Sequence, residues 1–217
     1  MSERRTPWKL SFWIAAVLVG LGAFFFWIHG WSRHQHALTS LTWTTQRVED
    51  LTIEAPFTFQ PVPDILEKLP PDLRAAVATW VNHEGVLAPD RLRAQVSHVT
   101  YHEGVALDLD GAVEGAISNA AAALGDRDPK HTATPVQISG LEARRVGYTS
   151  PRRRNRIYTD TLFIHRGQEL WQVQTFVNAE ALRPAAARIL DSARLAPPAE
   201  PATSATLDAP DRVAPPP

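Results

Sequence analysis

An uninterrupted apolar run near the N-terminus is the feature that most constrains this chain of 217 residues. Phe12 to Ile28 contains 17 residues without a polar side chain, which is about 25 Å of helix. Extending the run to residues 10–31 gives about 33 Å, enough to cross the hydrocarbon core of a bilayer. Tryptophans stand near both ends of that segment, as is typical of membrane–water interfaces. The sequence therefore predicts one transmembrane helix at residues 10–31.

The alternative interpretation of this run is a cleaved signal peptide. The run ends in FFFWIHGW, which lacks the small residues of a cleavage site, so we expect an uncleaved anchor. Arg4, Arg5 and Lys9 precede the span, whereas only Arg33 follows it before residue 46. The positive-inside rule then predicts that residues 1–9 are cytoplasmic and that the rest of the chain lies outside. Abundant Ala, Arg and Pro with little Lys are typical of a GC-rich bacterial genome, so we expect the bacterial cytoplasmic (inner) membrane and a periplasmic or extracytoplasmic main domain.

After the span, the chain divides into a juxtamembrane connector at residues 32–42, one folded domain at 43–195 and a Pro/Ala-rich tail at 196–217. The tail has almost no large apolar side chains, and this composition predicts disorder. The predicted elements of the domain follow the order strands, helix, strand run, helix. This order favours an α+β fold in which a mainly antiparallel sheet is sandwiched by helices.

Apolar periodicity assigns the individual elements. Strands are predicted at residues 44–48, 51–54, 92–102, 134–139, 141–149, 157–165 and 169–178. A helix is expected to begin with Asp110 as its N-cap and to end at Gly125. The stripe of a closing helix consists of Leu182, Ala186, Ile189 and Ala193. Residues 77–83 fit a helix by spacing and a strand by composition, and both assignments stay open.

Three segments carry a resemblance to a known family: VQISGLEARRVGYTS at residues 136–150, LWQVQTFV at 170–177 and ILDSARL at 189–195. With the order of elements, they make residues 43–195 resemble the PsbP-like fold family, an α/β/α sandwich. That family includes thylakoid PsbP proteins, a small Ran-binding yeast protein and the bacterial DcrB-like proteins. The resemblance implies a binding or assembly-accessory role at membrane complexes, without catalysis. The N-terminal anchor departs from the family pattern, because many relatives are lipoproteins or soluble proteins.

The densest run of charge consists of Arg152, Arg153, Arg154 and Arg156, in the predicted connection between two strands. Such a basic loop can contact anionic lipid headgroups or an acidic partner protein. It can equally be a solvated loop without a partner. The formal net charge of −1 gives no support for nucleic-acid binding, and no nucleic-acid partner is expected.

Residue patterns for catalysis or for a cofactor are absent from the sequence. The chain contains no cysteine, which excludes disulfides, thiolate metal ligands and thiol nucleophiles. It also lacks a G-x-S-x-G elbow, a Walker A motif and a G-x-G-x-x-G motif. His98 and His102 share one face of a predicted strand, but that spacing separates them by about 13 Å, too far for one metal ion. We expect no enzyme activity, metal site or cofactor.

These observations predict a membrane-anchored, non-enzymatic accessory or scaffold protein whose extracytoplasmic domain binds a partner of a cell-envelope complex. Two alternatives stay open. One is a module that binds lipid headgroups or a small ligand, and the other is an enzyme with an unrecognised site.

Overall fold

The computed structural model describes residues 41–63, 66, 71–87, 91–126, 129–150 and 156–197. The predicted cytoplasmic segment 1–9 and transmembrane helix 10–31 lie outside these residues, as do most of the predicted connector and tail. Within the described ranges, no helix combines the length and the apolar composition needed to cross a bilayer.

The described part of the chain consists mainly of strands, with two long helices between and after them. The strands are β1 (Thr44–Val48), β2 (Leu51–Ala55), β3 (Gln60–Val62), β4 (Val77–Leu87), β5 (Leu92–Tyr101), β6 (His131–Ile138), β7 (Leu141–Thr149), β8 (Tyr158–Arg166), β9 (Glu169–Val177) and β10 (Arg194–Leu195). The helices are α1 (Pro71–Arg74), α2 (Leu109–Leu124) and α3 (Arg183–Ser192), with a 3₁₀ turn at Glu180–Leu182 before α3. The predicted α+β class is confirmed.

Every pair of neighbouring strands is antiparallel. A seven-stranded sheet has the order β3-β4-β5-β9-β8-β7-β6, and a three-stranded sheet has the order β1-β2-β10. The hairpin β8–β9 occupies the middle of the large sheet, and nearly all side chains on both of its faces are buried. This burial confirms the prediction that the strand after residue 157 is covered on both sides.

Two apolar cores lie on opposite faces of the seven-stranded sheet. On one face, α2 packs on Trp80, Val99 and Phe163. On the other face, α3 and the three-stranded sheet together cover Val96, Leu162 and Trp171, among others. The predicted sandwich is therefore present, but the second layer is a helix joined to a small sheet rather than a helix alone.

Residues 77–83, for which the sequence left two assignments open, belong to β4. The register of β4 with β5 extends from Val77 to Leu87 with one irregularity near its start. Trp80 is buried against α2, and its indole N–H donates to Asn82 Oδ1 at 2.9 Å. Hydrogen bonds to β5 satisfy the backbone N–H and C=O groups along this segment. It therefore forms a strand, although the spacing of its apolar residues also fits a helix.

Two local predictions were wrong. The N-cap of α2 is Asp108 rather than Asp110: its backbone is extended, and its carboxylate accepts from the amides of Asp110 and Gly111 at 3.1 and 3.2 Å. Asp110 lies in the first turn, where its carboxylate meets Arg144 at 2.8 Å. His102 lies beyond the end of β5, so it does not continue the strand face of His98.

Two serines within the family-like segments, Ser139 and Ser192, join the small sheet to the rest of the fold. Ser192 Oγ, at the end of α3, accepts from the amide of Glu54 in β2 at 2.8 Å. Ser139 Oγ, in the turn between β6 and β7, accepts from the amide of Leu195 in β10 at 3.1 Å. These contacts give both serines a structural role.

Candidate functional site

One end of the sandwich brings together the first described residues and the strand ends that flank the arginine-rich connection. Thr149 pairs with Tyr158, and Tyr158 pairs with Val177. The amide of Asn178 then donates to the carbonyl of Arg91 at 3.3 Å. A surface groove joins Arg91 to Leu41. We name this the proximal end. The distal end carries the turns Glu49–Asp50, Ser139–Gly140 and Gly167–Gln168.

The strands that flank the predicted contact residues Arg152, Arg153, Arg154 and Arg156 meet at the proximal end. The amide of Ser150 donates to the carbonyl of Ile157 at 2.9 Å, so the β7–β8 ladder extends one step beyond the strands. Arg152, Arg153 and Arg154 lie outside the described residues, and Arg156 is exposed. The connection therefore starts and finishes at the proximal end.

A polar pocket of about 270 Å³ opens beside the strand ends Thr149 and Tyr158. Its lining includes Lys130, Thr132, Asp160 and Arg183. Gly147 forms part of the wall, and a Cβ atom there would lie 3.0 Å from Thr132 Oγ1 and 3.2 Å from Asp160 Oδ1. Burial raises the pKa of Asp160, and the positive charges of Arg145 and Arg183 oppose that rise. The pocket therefore places one half-buried carboxylate among the cationic side chains of Lys130 and Arg183.

A larger groove of about 480 Å³ lies at the same end, and we name it the Trp43 groove. The residues that line it are Leu41, Trp43, Arg91, Ala179, Ala181, Leu182, Pro184, Ala185 and Arg188. The guanidinium carbon of Arg188 lies 4.1 Å from the centroid of the Trp43 ring. The Arg188 guanidinium also donates to Glu54 Oε2 at 2.9 and 3.1 Å. The groove thus combines an apolar wall, an indole and basic side chains.

His98, the histidine considered for metal binding, is part of an aromatic stack. Its ring lies parallel to the indole of Trp171, and the Arg166 guanidinium carbon lies 4.6 Å from the centroid of the Trp171 ring. Burial lowers the pKa of His98, although Glu169, with Oε1 at 3.6 Å from Nε2, opposes the shift. This environment favours a neutral imidazole.

No group of three His, Asp or Glu side chains positioned to hold a metal ion occurs in the ranges that the structure describes.

Arg166 connects three elements at the distal end. Its guanidinium donates to Asp50 Oδ2 at 3.0 Å, to Glu169 Oε2 at 2.8 Å and to the carbonyl of Ala196 at 3.0 Å. The hydrogen bond from Arg166 lowers the pKa of Asp50. These contacts fix the β1–β2 turn and the end of β10 against the central hairpin.

The Trp43 groove and the Asp160 pocket were not predicted from the sequence. Each is assembled from segments that are far apart along the chain, which no local pattern reveals. Two features of the sequence could nevertheless have pointed to these residues. Trp43 follows directly on the predicted connector, and Asp160 is an acidic residue in a strand that is otherwise mainly apolar.

Comparison with known proteins gives structural likeness only. No family model matches the chain, and no curated protein matches it. The Ran-binding protein Mog1p of Saccharomyces cerevisiae is similar, with 11% identity, coverage of 72% of this chain and 96% of that chain, and a TM-score of 0.44. A protein of unknown function from Pseudomonas aeruginosa, PA94, gives 14% identity, 73% and 98% coverage and a TM-score of 0.38. LpqN of Mycobacterium tuberculosis, involved in cell envelope biogenesis, gives 13% identity, 72% and 91% coverage and a TM-score of 0.36. The resemblance to the PsbP-like family stays a prediction.

Proposed function

We propose that this chain is a single-pass protein of the bacterial cytoplasmic membrane whose extracytoplasmic domain is a non-enzymatic accessory or scaffold module of a cell-envelope complex. In this proposal residues 1–9 are cytoplasmic, residues 10–31 span the membrane and the sandwich binds an acidic surface of a neighbouring envelope protein. The contact residues are Arg152, Arg153, Arg154 and Arg156.

The observation that carries the proposal is that Leu41 and the strand ends flanking the arginines lie at the same end of the sandwich. An anchor that precedes Leu41 would therefore hold the four arginines on the membrane side of the domain. A basic segment in that position can meet neighbouring membrane proteins, and electrostatic attraction would favour an acidic one.

The contacts of three polar side chains that a catalytic site could use are structural. The hydroxyls of Ser139 and Ser192 accept backbone amides of the small sheet. His98 is stacked on Trp171, and its ring nitrogen faces Glu169 rather than a hydroxyl group. These groups hold the fold together, and their contacts leave them poorly placed to act as nucleophile or base.

Affinity purification of the full chain from solubilised membranes tests the proposal. We expect a co-purifying envelope protein that is lost when all four arginines are changed to Gln, and whose binding weakens as salt rises. Arg47→Gln with Arg194→Gln is the matched control, because both of these side chains are exposed at the distal end. Retention of the partner by the four-arginine variant would contradict the proposed contact.

Cysteine labelling tests the proposed membrane topology separately. The chain has no native cysteine, so each introduced thiol is the only one present. In intact spheroplasts, Ser204→Cys should react with a membrane-impermeant maleimide and Ser2→Cys should not. The reverse pattern would place the domain in the cytoplasm and rule out an extracytoplasmic partner.

A further inference from the structure

The Trp43 groove has the combination of side chains expected of a lipid-headgroup site at a membrane surface. We propose that it binds the headgroup of an anionic phospholipid in the membrane that holds the chain. This inference rests on the proposed membrane anchor and adds a direct contact between the sandwich and the bilayer. It concerns a different surface from the arginine connection.

The groove offers a positive charge that attracts a phosphate group. Arg91 lines it, and no ion pair of its guanidinium occurs within the described residues. The N-terminal turn of α3 also lines the groove, but its amides do not hold the phosphate, because the N–H of Arg183 donates to the carbonyl of Glu180 and Pro184 has no N–H. The Arg91 guanidinium is therefore the group that we assign to the phosphate.

The remaining wall of the groove is suited to the apolar part of a lipid. Leu41, Leu182 and Pro184 contribute aliphatic surface beside the Trp43 indole. Tryptophan rings favour the headgroup level of a bilayer, where one edge is wet and the other is apolar. Arg188 is paired with Glu54, so we assign it the role of supporting the Trp43 ring rather than holding the phosphate.

The length of the chain before the groove limits its distance from the membrane. Nine residues, and so ten residue steps, lie between Trp31, the last residue of the predicted span, and Leu41 in the groove wall. Fully extended, that segment reaches at most about 36 Å, and as a helix it would reach about 15 Å. An anchor attached at this end therefore keeps the groove close to the headgroups, so that binding needs little additional loss of translational freedom.

A single fluorescent reporter in the full chain tests this contact. We would label Ala185→Cys, a partly exposed position in the groove wall, and reconstitute the chain in nanodiscs that contain a headgroup spin-labelled lipid. Phosphatidylcholine discs with and without phosphatidylglycerol are compared. We expect strong quenching in the discs with phosphatidylglycerol and weak quenching without it. Arg91→Gln should lower the ratio of docked to undocked reporter roughly fivefold.

Two controls separate docking from general proximity. Arg194→Gln removes an exposed distal arginine whose guanidinium, among the described residues, donates to the backbone carbonyls of Asp191 and Ala193, and it should leave quenching unchanged. A reporter at Glu103→Cys, exposed near the distal end, should stay unquenched. Ala181→Cys is a second groove reporter that should repeat the Ala185→Cys result, which guards against damage by one label.

Several outcomes would overturn the inference. If the chain enters the discs but the groove reporters are not quenched, the groove does not meet the headgroups, although the anchor remains. Equal quenching with and without phosphatidylglycerol would remove the preference for an anionic lipid. If the chain does not co-elute with the discs, the proposed anchor and the lipid contact both fail.

Discussion

The imidazole of His98 lies on the indole of Trp171 with the ring centroids 4.2 Å apart and the planes inclined by 9°. The two residues are direct partners in the register of β5 and β9. Their stack lies under the three-stranded sheet, on the face of the large sheet that α3 also covers. The indole of Trp171 thus contacts both the apolar core and Arg166, which forms an ion pair with Asp50 at the distal end.

Truncation of the buried indole should strongly destabilise the domain. Trp171 has 0% of its surface exposed, so Trp171→Ala leaves a cavity that its neighbours can fill only in part. We expect a loss of about 3–5 kcal/mol in the free energy of unfolding, measured by urea denaturation of the full chain in detergent. Trp43→Ala, at a partly exposed indole, is the control and should cost about 1 kcal/mol or less. Equal losses for the two variants would contradict this account of the core.

The buried His98 should make the fold less stable in mild acid. Burial lowers the pKa of His98 below its ordinary value of 6.5, so the unfolded chain takes up this proton more readily than the folded domain. The contribution of a neutral His98 to stability is complete above pH 6.5 and is lost as the pH falls toward the lower folded pKa. His98→Gln should make the free energy of unfolding depend less steeply on pH, whereas His102→Gln, at an exposed position, should not. The test is to measure the free energy of unfolding across this pH range. If His98→Gln left its pH dependence unchanged, the proposed effect of His98 burial on stability would be contradicted.

The carboxylate in the polar pocket should lower stability at neutral pH. Burial raises the pKa of Asp160 above its ordinary value of 3.8, so above that pH the unfolded chain releases the proton more readily and is favoured. Asp160→Asn should therefore increase the unfolding free energy at neutral pH, by up to about 1 kcal/mol. Glu180→Gln, at an exposed carboxylate, should have no such effect. A decrease in stability would instead mean that the Asp160 charge is held by a favourable contact, for example with Arg183.

Pro135 should keep the long edge strand β6 from pairing with a second chain. Residues 131 to 135 are exposed, and in the part of the chain that the structure describes β6 has one neighbouring strand, β7. The two-residue turn makes Ile138 and Leu141 the first pair of the β6–β7 ladder. Pro135 is three positions earlier and pairs with Arg144, at a position whose N–H would point away from β7. Proline has no N–H, and its natural place in a sheet is an edge position whose N–H would point away from the ladder.

Pro135→Val would restore a donor and raise the β propensity of this edge. We expect concentration-dependent self-association by analytical ultracentrifugation of the full chain in detergent. Thr134→Val, which changes the neighbouring residue of the same strand, should remain at the association state of the parent chain. A Pro135→Val variant with no increase in association would show that another feature protects the edge.

The elements that could be predicted from the sequence are those whose pattern is local. β7 has the predicted bounds, Leu141–Thr149, because a turn at Gly140 and apolar alternation define it. The closing helix is also confirmed: Ala186 and Ile189 of its stripe are fully buried, and Pro184 lies in the first turn. Such features are encoded within about ten residues and need no knowledge of distant partners.

Features that depend on distant partners could not be predicted. β4 is a strand because β5 pairs with it, although its spacing also fits a helix. β10 has only two residues, and it exists because β2 offers a free edge more than 100 residues earlier in the chain. Asp108 and Asp110 are equally good caps by composition, and only the turn that precedes α2 selects Asp108. The Trp43 groove likewise requires three separated segments to meet.

The position of β2 between β1 and β10 has a mechanical consequence. Both outer strands are antiparallel to β2, so they run in the same direction, from the proximal toward the distal end. A force that pulls the two ends of the described chain apart would draw β1 backward and β10 forward along β2. The hydrogen bonds of the small sheet would then be loaded together in shear rather than opened one after another. Under such a force the small sheet would therefore resist as one unit.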